Sequence, residues 1–301
     1  MIERTEPTME KTVKAYAKIN LHLDVTGIRE DGYHSVETVM QSLSLCDDVR
    51  VCLTNDGSVF ASCNIDGLPT DERNIAVRAA RLYLDTIKSD KGAFIRIEKR
   101  IPMAAGLAGG SADAAATLVA LNSLFENALT EGELLSLGSS LGADVPFCIA
   151  CGTHYSDGRG DLLHDFPSLN ESTVFVVAYG GEGVSTPWGY QLLDKTFDNF
   201  NGYSPVGCEA LREAIANGTA FDFSAHLFNI FEAPVIAERP VARRLLEALK
   251  ASGALAARMS GSGPSVFGVF DSIDSAQRAL AAISPLECFA CICYPVGKRN
   301  S

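Results

Sequence analysis

Apolar and polar residues alternate strictly along the chain between residues 13 and 25. Every odd position in this stretch is apolar, whereas Lys18, Asn20 and His22 are among the residues at the even positions. Successive side chains of a β-strand point to opposite faces, so a period of two is typical of a strand with one face in the core. The pattern predicts a half-buried strand that presents Lys18, Asn20 and His22 on an exposed or cleft-lining face.

Further patterns divide the rest of the chain into helices and strands. Residues 130–133 fit a capping box before a leucine-rich helix. A second helix is predicted to begin at Pro240 and to end before Gly253. Because helices and strands do not alternate regularly, the sequence favours an α+β fold over a doubly wound sheet. Other predicted helices cover residues 73–87, 112–124 and 271–283, and other predicted strands cover residues 93–98, 173–179, 288–296 and the apolar run directly after Asp144.

Length and charge limit the class of protein. The chain has 301 residues, which is long for one hydrophobic core and suits two domains that share a cleft. Its net charge of −12 gives no electrostatic footprint for nucleic acid or an acidic membrane. No apolar stretch approaches the ~20 residues that span a bilayer. The N-terminal residues contain no apolar signal region, so we expect a cytoplasmic protein.

The nine cysteines raise the question of a metal site. Cys148 with Cys151, and Cys288 with Cys291 and Cys293, are spaced like zinc ligands, but both groups lie in apolar, strand-like runs. Free cysteine behaves as a small buried hydrophobe, so we expect buried thiols rather than a zinc site. The odd number of cysteines also argues against a secreted disulfide framework.

A glycine-rich run at residues 102–113 reads Pro-Met-Ala-Ala-Gly-Leu-Ala-Gly-Gly-Ser-Ala-Asp and leads directly into a predicted helix. Gly106, Gly109 and Gly110 let the backbone approach a ligand closely, and the free N–H groups at a helix start favour an anion. The chain lacks the Gly-x-x-x-x-Gly-Lys-Ser/Thr pattern, which excludes a P-loop. The run predicts a phosphate cradle; the alternative is a small-residue loop packed closely against a sheet.

Three segments in order resemble the GHMP kinases. They are residues 17–21 (Ala-Lys-Ile-Asn-Leu), the glycine-rich run, and residues 260–265 (Ser-Gly-Ser-Gly-Pro-Ser) between two short predicted strands. Residues 31–34 (Asp-Gly-Tyr-His) and 141–147 (Leu-Gly-Ala-Asp-Val-Pro-Phe) narrow the resemblance to members whose substrate is a cytidine diphosphate-linked polyol. The resemblance runs from about residue 14 to about residue 270.

The resemblance implies a fold of two α+β lobes with the active site in the cleft between them. Residues 1–165 would form the ATP-binding N-terminal domain, similar to domain 2 of ribosomal protein S5. Residues 166–301 would form a ferredoxin-like C-terminal domain, with the option that its last strand returns to the first lobe.

Roles for individual residues follow from the resemblance. Lys18 and Asp144 become the catalytic pair, in which Asp144 accepts the hydroxyl proton or orients the hydroxyl, and Lys18 counters charge on the phosphoryl oxygens. The expected cofactor is ATP with Mg²⁺, for which Ser111 is a candidate ligand. The expected ATP-binding residues are Asn74, Lys99, Pro102, Met103, Ala104, Ala105, Gly106, Leu107, Ala108, Gly109, Gly110, Ser111 and Ala112.

The expected partner is the small-molecule substrate, with no nucleic acid and no membrane, and the sequence does not indicate an oligomeric state. By resemblance, Asn20 contacts the polyol hydroxyls, while Tyr33 and Tyr190 sandwich the cytosine and His34 contacts its polar edge. Two rival functions stay open. One is a GHMP kinase for homoserine, mevalonate or a sugar; the other is an inactive relative that only binds ligands.

Two departures from the family pattern bear on these expectations. In residues 104–112, many members carry more glycines and a second serine; the extra β-carbons of Ala104, Ala105 and Ala108 are expected to narrow the phosphate pocket, although Gly106, Gly109 and Gly110 remain. In residues 151–161, His154 and Tyr155 add bulk where small residues are expected, and no role is assigned to them.

Overall fold

The structure is a computed structural model that describes residues 9–218 and 220–299. Within these residues the chain forms two β-sheets that carry helices. The strands are β1 (Glu10–Ile28), β2 (His34–Thr54), β3 (Val59–Cys63), β4 (Gly92–Glu98), β5 (Thr153–Asp157), β6 (Leu162–Asp165), β7 (Val174–Tyr179), β8 (Phe228–Asn229), β9 (Ala256–Met259), β10 (Val266–Phe270) and β11 (Phe289–Cys293). The helices are α1 (Ile75–Thr86), α2 (Gly109–Leu124), α3 (Glu131–Leu141), α4 (Val145–Ala150), α5 (Thr186–Thr196), α6 (Glu209–Asn217), α7 (Ala220–Ser224), α8 (Glu232–Glu238), α9 (Pro240–Ala251) and α10 (Ile273–Ile283).

The first lobe contains a seven-stranded sheet with the path β3-β4-β2-β1-β8, and β5 and β6 extend it from β2. Helices α1, α2 and α4 pack on it around a core rich in alanine, which brings α2 close to the sheet. The capping box predicted at Thr130 is confirmed, since its hydroxyl accepts the Glu133 N–H and the Glu133 carboxylate accepts the Thr130 N–H. The helix predicted over 73–87 is confirmed as α1, whose start is capped by the side chain of Asn74.

The second lobe contains a four-stranded antiparallel sheet in the order β11-β7-β10-β9. The two longer connections, β7 to β9 and β10 to β11, carry helices, which is the arrangement of a ferredoxin-like fold. Helix α9 begins at Pro240 and ends before Gly253, as predicted. The Arg239 guanidinium lies 4.4 Å above the ring of Trp188 on α5, so the start of α9 contacts α5.

Three hydrophobic cores meet along β1. Val13 and Ala15 belong to the core of the first lobe, Ile19 to a core shared by both sheets, and Leu23 to the core of the second lobe. The shared core also contains residues of β7 and β10, so the two lobes are joined by continuous packing. The predicted strand over 13–25 is confirmed and is longer at both ends. From Lys18 to Asp24 its polar face is buried too, because this part of β1 lies between the lobes; His22 is only 1% exposed, whereas Lys14 on the same face stays exposed.

Two sequence predictions need correction. The run after Asp144 forms the short helix α4 and not a strand, because Pro146 fits the first turn of a helix and an apolar run of this length does not distinguish the two. The last strand, β11, pairs with β7 and stays in the second lobe; only the segment after it returns, where Pro295 and Lys298 form bridges to Leu43 and Cys151.

The two lobes divide close to the expected boundary. Strand β6 ends at Asp165 in the first sheet, and β7 begins at Val174 in the second. The short strand β8 crosses back, because Phe228 and Asn229 pair in parallel with β1. The division at residue 165 stays a prediction, with β8 and the last segment shared between lobes.

All nine cysteines have free thiols. Cys148 lies in helix α4 rather than in a strand, whereas Cys291 and Cys293 lie in β11. Across residues 9–218 and 220–299, no three His, Cys, Asp or Glu side chains converge as a metal-binding group. In the same ranges, every helix is too short or too polar to cross a membrane.

Candidate active site

A cavity of about 950 Å³ lies between the two lobes, bounded by β1, the glycine-rich run, α5 and the β9–β10 hairpin. Sequence reasoning placed its expected residues on separate elements, and the structure brings most of them to this one cavity. The predicted site residues that line it are Lys18, Asn20, Tyr33, His34, Ala104, Gly106, Ala108, Gly109, Gly110, Ser111, Asp144 and Tyr190.

The glycine-rich run delivers the start of α2 to the cavity. Ala108 is the N-cap residue, with a left-handed φ of 57°, and no side chain caps the helix start. The N–H groups of the first turn are therefore free to bind an anion, and the helix dipole adds to the attraction. Gly106 has φ 78°, and a β-carbon there would lie 2.3 Å from the Ser260 carbonyl oxygen, so only glycine fits against the hairpin.

The alanines of this run have different positions. Ala104 and Ala108 line the cavity, and both have a positive φ that glycine adopts more readily. Ala105 is buried in the shared core and does not line the cavity. The expected narrowing of the phosphate pocket can therefore come from Ala104 and Ala108 but not from Ala105.

Lys18 and Asp144 meet at the floor of the cavity. Lys18 Nζ lies 3.8 Å from Asp144 Oδ2, although β1 and the start of α4 are far apart in sequence. The Lys18 side chain is 5% exposed and that of Asp144 is 38% exposed, so the lysine approaches from the protein interior and the carboxylate faces the open cavity. The backbone N–H of Lys18 donates to the Leu107 carbonyl, which ties this strand to the glycine-rich run.

A chain of buried hydrogen bonds fixes the position of Lys18. Its ammonium donates to Asn20 Oδ1 at 2.7 Å, the Asn20 amide donates to the Thr38 hydroxyl at 2.7 Å, and that hydroxyl donates to the His22 carbonyl. Asn20 therefore orients the lysine and also lines the cavity. His22 itself lies outside the cavity lining; burial lowers the pKa of its imidazole, and its Nε2 has no hydrogen-bond partner among the described residues.

Three aromatic side chains, Tyr33, His34 and Tyr190, also line the cavity. The His34 ring stacks on Tyr190 at a centroid distance of 4.5 Å, and Phe200 touches it edge-on at 5.7 Å. Tyr33 is 60% exposed, with the Arg159 guanidinium 5.7 Å from its ring centre. The expected sandwich between Tyr33 and Tyr190 needs an open ring face on each, yet His34 covers one face of Tyr190; the sandwich stays a prediction.

Lys99 and Asn74 are placed away from this cavity. Lys99 Nζ lies 2.6 Å from Asp47 and 2.7 Å from Asp113, and all three side chains are almost fully buried. Burial raises the pKa of the Asp113 carboxyl to about 7, although Lys99 acts in the opposite direction. The Asn74 amide caps α1 and donates to the Pro69 carbonyl. Both side chains therefore have structural partners, and their assignment to ATP stays a prediction.

A second, smaller cavity of about 490 Å³ lies on the other side of the glycine-rich run. Its lining includes the predicted residues Lys99, Pro102 and Met103, with Tyr179 and Ile65 from neighbouring segments. The run thus contributes to two cavities, one beside the helix start and one beside Met103. Leu107 and Ala112 are buried and line neither cavity.

Several residues of the site were missed by sequence reasoning. Asp194, which binds His34, was not indicated at all; Gly261 and Ser262 line the main cavity and belong to the segment 260–265 that the resemblance singled out, but no site role was assigned to them. Asp194 follows Tyr190 by four residues on one helix, a spacing that places both on one face and could have indicated it. Nothing in the sequence indicates Asp47, because its partnership with Lys99 depends on strand pairing in the folded chain.

Comparison with known proteins identifies the family. Residues 74–152 match the model of the GHMP kinases N terminal domain, and residues 209–286 match that of the GHMP kinases C terminal domain. The chain is 40% identical over 266 residues to a 4-diphosphocytidyl-2-C-methyl-D-erythritol kinase of Clostridium acetobutylicum, covering 88% of this chain and 93% of that protein. It is 38% identical over 275 residues to the protein of that name from Acaryochloris marina, covering 88% and 89%.

Solved structures agree with this result. A crystal structure of 4-(cytidine 5'-diphospho)-2C-methyl-D-erythritol kinase matches with a TM-score of 0.75 at 33% identity, covering 94% of this chain and 99% of that one. Homoserine kinase from Cytophaga hutchinsonii also has a TM-score of 0.75, at 18% identity over 100% and 98% of the two chains, which shows a shared fold alone. The two-lobed α+β fold expected from the sequence is thus confirmed, and the chain belongs to the GHMP kinase family, within the branch of the 4-diphosphocytidyl-2-C-methyl-D-erythritol kinases.

Proposed function

We propose that this protein transfers the γ-phosphoryl group of ATP to the 2-hydroxyl of 4-diphosphocytidyl-2-C-methyl-D-erythritol, a step in the non-mevalonate route to isoprenoid precursors. The observation that carries the proposal is the Lys18–Asp144 pair, 3.8 Å apart, in the cavity lined by the uncapped start of α2. The substrate follows from the names of relatives with about 40% identity over most of the chain.

ATP is placed by the glycine-rich run. The free N–H groups of Gly109, Gly110 and Ser111 bind the phosphates, for which a helix start is well suited. The base then lies on the other side of the run, in the cavity lined by Met103 and Ile65. This arrangement directs the terminal phosphoryl group towards Lys18 and Asp144 in the main cavity.

The chemistry at the two side chains is a single displacement. The substrate hydroxyl oxygen attacks the γ-phosphorus, the bond from that phosphorus to the bridging oxygen breaks, and ADP leaves with the electron pair. Asp144 accepts the hydroxyl proton or orients the hydroxyl, and Lys18 neutralises charge on the phosphoryl oxygens. Asn20 keeps the ammonium in place by its 2.7 Å hydrogen bond.

The residues at the cavity fit a magnesium ion that arrives with ATP. Mg²⁺ is commonly held by one or two carboxylates with phosphate oxygens and waters rather than by a complete protein cage. The cavity offers the Ser111 hydroxyl at the start of α2 as a protein ligand, with phosphate oxygens and waters to complete the coordination, and the described residues contain no group of three or more metal-ligating side chains. When bound, the ion would neutralise phosphate charge.

The cytidine end of the substrate occupies the opposite end of the cavity. The exposed ring of Tyr33 offers a stacking surface, and His34 lies beside it with its ring held by Tyr190. Stacking on one aromatic side chain is worth ~1–3 kcal/mol per base. Such remote binding energy can position the reacting hydroxyl.

A single-turnover assay with ATP tests the proposal. The acceptors are the cytidylated substrate, methylerythritol 4-phosphate, homoserine and mevalonate. We expect efficient transfer to the cytidylated substrate and very slow transfer to the other three, because they lack the base that fills the aromatic end. Efficient phosphorylation of homoserine or mevalonate would assign the protein to another branch of the family, and no transfer to any acceptor would favour an inactive binding protein.

A further inference from the structure

The contact between His34 and Asp194 joins the two lobes at the aromatic end of the cavity. His34 Nε2 lies 2.6 Å from Asp194 Oδ1, across 160 residues of sequence. The His34 side chain is 11% exposed and that of Asp194 is 31% exposed, so the pair is shielded on most sides. A hydrogen bond of this length is typical of a charged acceptor, which makes it stronger than a bond between neutral groups.

The carboxylate decides which nitrogen of a neutral imidazole carries the proton. An ionised carboxylate only accepts hydrogen bonds, so the nitrogen facing it must be the donor. In the neutral imidazole, Nε2 of His34 therefore carries the proton, and Nδ1 keeps its lone pair as an acceptor. Among the described residues, none forms a hydrogen bond with Nδ1, and His34 lines the cavity.

The ring cannot readily turn to reverse this assignment. Tyr190 stacks on one face of the imidazole with an interplanar angle of 22°, and Phe200 meets it at 70°. A flip of the imidazole ring would break the hydrogen bond from Nε2 to Asp194. It would also turn the protonated Nε2 towards the cavity, so that nitrogen could act as an acceptor only after losing its proton. Packing thus fixes the plane of the ring, and Asp194 fixes its protonation.

We propose that Asp194 is a specificity-determining positioning residue: by holding the proton of His34 on Nε2, it makes Nδ1 an acceptor that selects a cytosine over a uracil base. Cytosine presents a 4-amino donor where uracil presents a 4-oxo acceptor. The Nδ1 lone pair accepts a hydrogen bond from the 4-amino group of cytosine. With uracil, the same lone pair faces the 4-oxo oxygen, and two acceptors repel each other. The inference rests on the proposed function, since it needs the cytidylated substrate at this end of the cavity.

The decisive variant is Asp194→Asn, because an amide can donate to Nε2 as well as accept from it. The imidazole proton is then free to move to Nδ1, which turns the reading nitrogen into a donor that suits uracil. Asp194→Glu keeps the carboxylate and serves as the rescue. Asp198→Asn is the matched control, since Asp198 is exposed, lies four residues further along and does not line the cavity.

Calorimetry measures the binding of cytidine 5'-diphosphate and uridine 5'-diphosphate. Steady-state kinetics measure kcat/KM for the cytidylated substrate and for its uridine analogue. We expect the preference for cytidine to fall at least about tenfold in Asp194→Asn, the worth of one hydrogen bond to a charge-oriented group, with the KM for ATP unchanged. Asp194→Glu should restore most of the preference, and Asp198→Asn should keep the wild-type ratio.

Nitrogen-15 spectra of the imidazole give a readout that does not depend on activity. The His34 signals, assigned with the His34→Gln variant, should show a protonated Nε2 and an unprotonated Nδ1 in the wild-type protein, and a mixture in Asp194→Asn. Equal weakening of both nucleotides in Asp194→Asn, or a proton on Nδ1 in the wild type, would overturn the inference while leaving the kinase function intact. A wild-type protein that does not phosphorylate the cytidylated substrate would overturn the proposed function and this inference with it.

Discussion

Lys18 and Asp144, the proposed catalytic pair, differ in burial. The Lys18 ammonium is almost fully buried and held by Asn20, whereas its partner Asp144 is open to the cavity. A buried, hydrogen-bonded cation next to a solvent-accessible carboxylate suits a reaction in which charge moves from the hydroxyl to the phosphoryl oxygens. In the proposed mechanism, the cation is therefore preorganised and Asp144 stays accessible to the substrate.

The first prediction concerns this pair. Asp144→Asn and Lys18→Met should each lower turnover by at least about a hundredfold, because each removes a charge that acts on the transferring group. The double variant should be little worse than either single variant, since groups that act together are not additive. Rapid-quench assays measure turnover, and calorimetry checks that ATP still binds.

Lys14→Met is the matched control for Lys18→Met, because Lys14 is an exposed lysine on the same strand. It should keep wild-type turnover. Unchanged turnover in Asp144→Asn would remove Asp144 from the mechanism.

The second prediction concerns Asp113, whose pKa burial raises to about 7. The folded state then binds this proton more tightly than the unfolded chain, so the group stabilises the fold at low pH, and this stabilisation is lost as the pH rises through 7. The melting temperature of Asp113→Asn relative to wild type should therefore increase from about pH 5 to about pH 8. Asp85→Asn, on the exposed face of α1, should show no such trend. Parallel pH curves for Asp113→Asn and wild type would contradict the prediction.

Among the elements, the start of α2 is positioned by contacts on both sides. Gly106 packs against the hairpin carbonyl of Ser260, and Ser265 N–H donates to the Ala105 carbonyl, so the second lobe holds the run from one side. From the other side, the Lys99–Asp113 ion pair joins the first turns of α2 to the end of β4. The helix start is thereby fixed before any phosphate binds.

The third prediction compares two adjacent glycines at this helix start. A β-carbon on Gly109 would lie 3.0 Å from Lys99 Nζ and 3.1 Å from Ile101 Cγ2, whereas one on Gly110 would meet only Ile75 at 3.7 Å. Gly109→Ala should lower the melting temperature and weaken ATP binding, because the helix start must move. Gly110→Ala should be neutral or more stable by up to ~1 kcal/mol, the usual gain in helix propensity. Thermal unfolding measures both, and equal losses would contradict the prediction.

Sequence patterns predicted where helices and strands lie better than they predicted which residues contact each other in the folded protein. The alternation in β1, the capping box of α3 and the proline and glycine at the ends of α9 are local signals, and all three were confirmed. The burial of the polar face of β1 and the helical state of the run after Asp144 depend on which surfaces later pack there. The pair Lys18–Asp144 was found through the family resemblance, since the two residues have no local relation. The bond from Asp194 to His34 exists only once α5 has docked.

On the scale of the whole molecule, the chain passes between the lobes several times. Strand β8 pairs with β1, and the segment after β11 returns to the first lobe, where Val296 N–H donates to the Ser42 carbonyl and Arg299 N–H to the Ala150 carbonyl. A shared hydrophobic core fills the space between the sheets. These links make relative motion of the lobes a small adjustment rather than a wide opening.

The fourth prediction removes the returning segment. Deletion of residues 294–301 eliminates at least three backbone hydrogen bonds to the first lobe, which are worth ~0.5–1.5 kcal/mol each. The melting temperature should fall by several degrees, since 1 kcal/mol corresponds to about 2–4 °C in a protein of this size. Lys298→Ala breaks only the exposed ion pair with Asp165 and should have little effect. An unchanged melting temperature after the deletion would show that the segment does not stabilise the fold.

The contact between Arg239 and Trp188 gives the molecule an optical reporter. Trp188 is the single tryptophan among 301 residues, and it lies on α5, the helix that also carries Tyr190 and Asp194. The Arg239 guanidinium lies 4.4 Å from its ring, and indole emission responds to nearby charge, so we expect an adjustment of α5 on nucleotide binding to change the fluorescence without any attached dye. Titration with cytidine 5'-diphosphate should change the emission of Trp188, and titration with ATP should not. Constant emission at saturating cytidine 5'-diphosphate would show that α5 does not adjust. Occupancy of the proposed cytidine site can then be followed in real time, separately from that of the proposed phosphate-binding run.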